Sequence, residues 1–226
     1  MAESDIRKLM CEITNCPEVM KSWRGESDIC SKLVNAQPKN DFRVPEPWTG
    51  PLLYADILYV AINPSVRIGE SQVPKWGVNP SDVYNFFSNG LTMREGKWWT
   101  KLKKYTHELG NYNYVVTNVA HCKSPKVKFV TKKIRNYCCD KYLNRIIKSS
   151  NAKLIVSIGK GRRGVERLYD IKPKENRLIY KKIGDKKRLF AYLHRQIDPT
   201  SFAFNYTPEE TEEIRRWLYK SECPEE

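Results

Sequence analysis

Three short apolar runs limit what this chain can fold into: Ala55 to Ile62, Tyr112 to Ala120 and Lys153 to Ile158. Each is rich in β-branched residues, lacks strict polar alternation and ends at a polar or turn-forming residue. That is the pattern of a strand buried on both faces. Helical spacing fills the intervals. Ser81 opens a helix carrying Val83, Tyr84, Phe86 and Phe87 and stopped by Gly90, and Trp98 to Leu109 forms a second helix before Gly110. Thr131 caps a long helix to about Ser149, with Ile134, Cys138, Leu143 and Ile147 inward, and Val165 to Tyr169 forms a shorter one. Residues 4–22 begin as an amphipathic helix through Ile6, Leu9, Met10 and Ile13, and Gly25 to Gly50 is irregular, broken by Pro38, Pro45 and Pro47. Arg177 to Ile183 and Arg188 to His194 read as two further strands. Thr207-Pro208-Glu209-Glu210 is a capping box that opens a terminal helix. Buried strands alternating with helices predict an α/β fold, a three-layer α/β/α sandwich around a mostly parallel sheet. At 226 residues one domain, 1–226, is expected.

Such sheets bind ligands beyond the carboxyl ends of their strands. Asn63, Asn118 and His194 fall there, and so does Gly159-Lys160-Gly161-Arg162-Arg163-Gly164. The glycine run fits a dinucleotide fingerprint, but it is not on the first strand and no acidic residue ends a strand about 20 residues later. Its three cations suit a phosphodiester at a helix N-terminus, and a plain tight turn is the third reading. Trp76, in a loop flanked by Pro74 and Gly77, could stack on a flat ligand.

The chain carries 40 Lys and Arg against 26 Asp and Glu, a net charge of +14. That excess points to a polyanion partner, most often nucleic acid. There is no run of 18 apolar residues and no signal-peptide pattern at Met1 to Arg7, so no membrane partner and an intracellular, cytoplasmic or nucleoid-associated location are expected. Seven cysteines are many for a reducing compartment, where metal binding is the leading reading and buried structural thiols the other. Cys11 with Cys16, and Cys122 with Cys138 or Cys139, form two near pairs. Four thiolates converging from two segments suit a [4Fe–4S] cluster or a zinc ion. Cys30 is a possible substitute ligand, and Cys223 is expected to be free.

From about Cys11 to Leu218, these motifs in this order resemble the uracil-DNA glycosylase superfamily, most closely its iron–sulfur branches, families 4 and 5. Val60-Ala61-Ile62-Asn63-Pro64-Ser65 is similar to the Gly-Ile-Asn-Pro-Gly of the mismatch-specific glycosylases, where the Asn positions the hydrolytic water. Thr117-Asn118 followed by His121-Cys122-Lys123-Ser124-Pro125 resembles the base-reading motif with its cluster cysteine. Leu193-His194-Arg195-Gln196 resembles the last motif, whose His contacts the base carbonyl. The resemblance implies a monofunctional enzyme of base excision repair that hydrolyses the N-glycosidic bond of uracil, or of a related deaminated or mismatched base, in DNA. Asn63 and His194 would be catalytic. Ala61, Ile62, Trp76 and Asn118 would hold the base, and Lys123, Arg162, Arg163 and Arg195 the DNA. Cys11, Cys16, Cys122 and Cys139 would ligate the [4Fe–4S] cluster, or zinc in its place, as a structural centre. The partner would be single- or double-stranded DNA with a flipped-out base, bound by a monomer. Two other readings stay open: a non-catalytic nucleic-acid-binding module on the same fold, and a nucleotide-dependent oxidoreductase using the glycine turn.

Overall fold

A computed structural model of the chain describes residues 2–37, 39–64, 73–91, 96–110, 112–124, 126–171, 177–193 and 206–220. Its centre is a six-stranded sheet. The three apolar runs supply β2 (Ile57–Ala61), β3 (Tyr114–Asn118) and β4 (Leu154–Ile158). The two later strands are β5 (Leu178–Ile183) and β6 (Lys186–Leu193). The remaining strand, β1 (Trp48–Thr49), is a two-residue edge piece. The order is β1-β3-β2-β4-β6-β5. β3, β2, β4 and β6 run parallel, and β1 and β5 close the edges antiparallel. β5 and β6 are a hairpin turned at Gly184, whose φ of +63° is left-handed and suits a residue without Cβ.

Helices cover both faces. α5 (Lys97–Leu109) and α9 (Pro208–Lys220) pack on Ile57, Tyr59, Val116, Leu154 and Val156. The opposite face, with Leu58, Val60, Val115 and Ile155, carries α1 (Glu3–Thr14), α2 (Pro17–Trp23), α3 (Ser31–Val34), α4 (Pro80–Asn89), α6 (Lys132–Cys138), α7 (Asn144–Ser149) and α8 (Arg162–Tyr169). The α/β sandwich expected from the alternation is therefore the observed architecture. Among the described residues, no helix is long and apolar enough to cross a membrane.

Several elements differ from their sequence patterns for identifiable reasons. The amphipathic helix that begins the 4–22 segment ends at Thr14, and a second helix starts at Pro17, whose missing N–H could not continue the first. The helix expected at Ser81 opens at Pro80, with the Asn79 side chain accepting from the Ser81 N–H at 2.8 Å. The long helix after Thr131 is interrupted by a π turn, Cys139–Leu143, between α6 and α7. The Thr207 capping box forms as read: the Glu210 N–H donates to Thr207 Oγ1 at 3.2 Å and the Thr207 N–H to Glu210 Oε2 at 2.8 Å.

Candidate functional site

The chain passes from β2 to β3 on one side and then crosses to β4 on the other. The connections at the β2/β4 junction therefore diverge and leave a crevice at the carboxyl ends, the position where open α/β sheets take ligands. Asn63 stands just past β2, Asn118 ends β3 and the glycine turn follows β4. His194 and Arg195, which follow β6, lie outside the described residues.

The first two motifs are joined by backbone hydrogen bonds. Beyond the Ala61–Asn118 pair, the Val119 N–H donates to the Ala61 carbonyl at 2.9 Å, Ala120 to Ile62 at 2.9 Å and Ser124 to Pro64 at 3.0 Å. The Ala61 and Ile62 carbonyls thus hold one motif against the other. Asn63 is half-buried, and its Nδ2 donates to the Pro64 carbonyl at 2.8 Å. That bond fixes the amide so that Oδ1 is left as an acceptor. Asn118 is 7 % exposed, and among the described residues its side chain has no hydrogen-bond partner. An amide with donor and acceptor unspent at a strand end is open to a ligand or to water. Strand alternation turns Asn118 to the face of Val116, the α5 side. α5 runs back toward the start of β3, so its first turn, with Trp98 and Trp99 edge-on at 4.6 Å, lies at the same edge. Trp76 is half-buried and held edge-on by Trp23 at 5.1 Å and Phe42 at 5.9 Å, an anchored aromatic rather than a loose one.

Lys123 corrects the sequence reading. It is 1 % exposed and paired with buried Glu46, Nζ to Oε1 at 2.8 Å, so it cannot reach a phosphate. A lysine in a polar turn reads as solvated, yet here the turn folds inward against residues 46 and 47. Thr117 Oγ1 donates to the Pro47 carbonyl at 2.6 Å, and the Glu46 N–H to the His121 carbonyl at 2.8 Å. His121 Nδ1 meets the Glu46 carbonyl at 2.8 Å, while its Nε2 is buried with no partner. Burial pushes this imidazole down to about 4, so it is neutral at pH 7. Arg163 is exposed, and Arg162 is half-exposed beside Glu166 at 3.7 Å.

Packing accounts for two of the three glycines after β4. A Cβ on Gly161 would stand 2.3 Å from the Val60 carbonyl oxygen, and one on Gly164 2.6 Å from Val119 Cγ2. The turn is pressed against the strand end that carries Asn63. Gly161→Ala must push backbone from backbone and is expected to cost about 1–3 kcal/mol of unfolding free energy. Denaturant titration checks this, and a change within about 0.5 kcal/mol would show that the turn retreats freely. Beside this turn lie two polar groups with no sequence signal beyond a Ser and a Tyr inside apolar runs. Ser157 and Tyr192 face each other in register across β4 and β6, are 1 % and 2 % exposed, and among the described residues their hydroxyls have no partner.

The cysteines gather differently from the spacing. Cys16 and Cys30 cap the starts of α2 and α3, Cys122 lies in the loop after β3, and Cys138 ends α6. All four are buried, at 1–4 % exposure. The Cys122 thiol lies within electrostatic reach of Cys30, Cys16 and Cys138. Crowding with Cys30 and burial push Cys122 well up, and burial does the same to Cys138, so without a cation both are neutral thiols. Cys11 is half-exposed on α1. Cys139 turns the other way, its sulfur 3.1 Å from where a Gly164 Cβ would be, and burial pushes it up to about 12. Consecutive helix residues project about 100° apart, so Cys138 and Cys139 point to different sides of the helix. Of the expected set Cys11, Cys16, Cys122 and Cys139, Cys11 is half-exposed and Cys139 packs toward Gly164, while Cys30 and Cys138 are the thiols within electrostatic reach of Cys122. Among the described residues no disulfide forms, and no group of three or more His, Cys, Asp or Glu side chains is placed so that it could hold a metal ion. Cys16, Cys30, Cys122 and Cys138 are four buried thiols on neighbouring segments, and thiolate is the donor type that zinc and iron–sulfur clusters take.

In comparisons with known proteins, no family model and no curated sequence matches the chain.

Proposed function

We propose that this protein is a monofunctional DNA glycosylase that removes uracil, or a related deaminated or mismatched base, inside the cell. The observation that carries the reading is Asn118, a nearly buried amide with unspent donor and acceptor, on a strand end bonded to the one bearing Asn63. An amide can pair with both a carbonyl and an N–H on a pyrimidine edge. The scissile bond is hidden in stacked DNA, so the nucleotide must be extruded, at a few kcal/mol. In this reading Asn118 reads the extruded base. Asn63 Oδ1, outward because Nδ2 is engaged, orients water at the sugar. Asn63 is no strong base, which suffices where the leaving group departs early and the sugar becomes oxocarbenium-like. Trp76 is the proposed stacking ring, and Arg162 and Arg163 the proposed phosphate contacts. His194 and Arg195 keep the roles their motif implies, a hydrogen bond to the departing base and a hold on DNA.

Cys16, Cys30, Cys122 and Cys138 are the proposed ligands of a [4Fe–4S] cluster, with zinc as the other fit. Such a group supplies a structural cross-link and the cation that keeps four buried sulfurs as thiolates. The chain's own contribution is to bring the N-terminal helices onto the loop that follows Asn118.

End-labelled oligonucleotides carrying uracil, hypoxanthine or a G·T mismatch, single- and double-stranded, followed by hot alkali, test the activity. Scission at the lesion is expected, together with its loss, at least about 100-fold, in Asn118→Ala and Asn63→Ala while DNA binding persists. The basic charge alone would also serve a non-catalytic nucleic-acid-binding module. Salt-sensitive binding with every substrate intact would establish that reading instead.

A further inference from the structure

We propose that residues 42–47 are a stiff strap that holds Trp76 and Asn118 in fixed relation, with Arg43 and Thr117 as its positioning residues. The inference rests on reading Trp76 and Asn118 as contacts to an extruded base, and it deepens that reading.

The strap reads Phe42-Arg43-Val44-Pro45-Glu46-Pro47. Each proline fixes its own φ and pushes the residue before it into extended backbone, so the stretch from Val44 to Pro47 is stiff. Prolines also lack an N–H, which leaves Val44 and Glu46 as the backbone donors of this stretch. They reach different parts of the chain. The Val44 N–H donates to the Pro74 carbonyl at 3.1 Å, and the Glu46 N–H donates to the His121 carbonyl at 2.8 Å. At no more than about 3.6 Å per residue, those two anchors stand within about 7 Å of each other. The loop bearing Trp76 and the loop that follows Asn118 are thus fastened to one short, buried span.

Side chains complete both fastenings. At the first end the Trp76 N–H donates to the Phe42 carbonyl at 2.9 Å, and Arg43 bridges Lys75 in antiparallel register. Arg43 Nη1 donates to the Val73 carbonyl at 2.8 Å, while its Nη2 is held by Asp41 at 2.9 Å. At the second end Asn118 lies between two tied residues. Thr117 Oγ1 donates to the Pro47 carbonyl at 2.6 Å, and His121 Nδ1 meets the Glu46 carbonyl at 2.8 Å. Past Pro47 the strap becomes β1, whose Trp48 and Thr49 pair with Thr117 and Val116. The strap therefore acts through other residues: it sets how far the ring that would stack on the base stands from the amide that would read it. A shift of about 1 Å in such a pair can cost about 100-fold in rate.

The test uses the full chain with Arg43→Met, Thr117→Val and Thr117→Ser, the last of which keeps the hydroxyl donor. Tyr59→Phe is the control, since it loses a buried hydroxyl bond to Thr106 on the opposite face of the sheet. Residue-resolved amide hydrogen exchange is read first, because it needs no substrate. Thr117→Val cuts the strap at the Asn118 end and is expected to speed exchange of the Trp76 N–H, at the other end, about tenfold. Arg43→Met is expected to do the same to the Glu46 N–H, and Val156 in the central strand should stay unmoved in both. The control should move neither end. Uracil release in single turnover is then timed. Thr117→Val and Arg43→Met are expected to slow it at least about tenfold while DNA binding persists, and Thr117→Ser to recover most of the loss. Exchange that quickens at the cut end alone would overturn the strap. Coupled exchange with undiminished release would overturn its positioning role. Unmodified protein that releases no base from any substrate would overturn the glycosylase reading and the role of the strap within it, and the exchange rates would still decide whether the two ends are one unit.

Discussion

With Cys16, Cys30, Cys122 and Cys138 proposed as ligands, Cys30→Ser and Cys138→Ser are each expected to lower the bound metal, whereas Cys11→Ser and Cys139→Ser are expected to leave the stoichiometry unchanged. The first pair removes sulfurs from the buried group around Cys122; the second removes a half-exposed thiol on α1 and a thiol packed toward Gly164. Zinc in a small thiolate site is worth about 10–16 kcal/mol, so losing one of four ligands takes several kcal/mol and drops occupancy at least about tenfold. Metal analysis and thermal melting of the four variants measure this directly. The contrast between neighbours 138 and 139 is the sharpest part, because both are buried and differ only in which way the helix turns them. Equal metal loss from Cys139→Ser and Cys138→Ser would refute the assignment.

Lys123→Ala will cost about 3–5 kcal/mol of unfolding free energy, the usual penalty for removing one partner of a buried ion pair. Lys123 and Glu46 are 1 % and 5 % exposed, so Glu46 would be left charged where water cannot reach it well. Adding Glu46→Gln removes the stranded charge and should recover much of the loss, which makes the pair a double-mutant cycle. The salt dependence of DNA binding separates this role from a phosphate contact. A contact would take about 0.9 off the slope of log K against log salt, and the buried lysine should take nothing. A loss near 1 kcal/mol with a shallower slope would restore Lys123 to the DNA surface.

The frame of the fold was legible in the sequence because its signal is local. Ala55 to Ile62, Tyr112 to Ala120 and Lys153 to Ile158 are apolar on both alternating sets, and only a strand covered on both faces buries both. The same runs made Asn63 and Asn118 visible, as the first polar residues where the core ends. What stayed hidden depends on contacts distant in sequence. Cys30 sits in an irregular stretch with no periodicity, and nothing local says that it meets Cys122. Lys123 looks solvated until Glu46 arrives from far up the chain. The π turn replaces one hydrogen-bond register by another without a proline or glycine to announce it. β1 is too short, and too close to Pro45 and Pro47, to show alternation.

The four gathered thiols also set an order of events during synthesis. Cys30 leaves the ribosome 92 residues before Cys122, and Cys16 106 residues before it. Closing so long a loop carries an entropic cost that grows only slowly with length, so distance is no thermodynamic bar. It does impose a wait. The helices bearing Ile6, Leu9, Met10 and Ile13 have no finished core to lie on until the later strands emerge. The helices that carry Cys16 and Cys30 are therefore made before the strands they cover, and they stay unseated until those strands emerge.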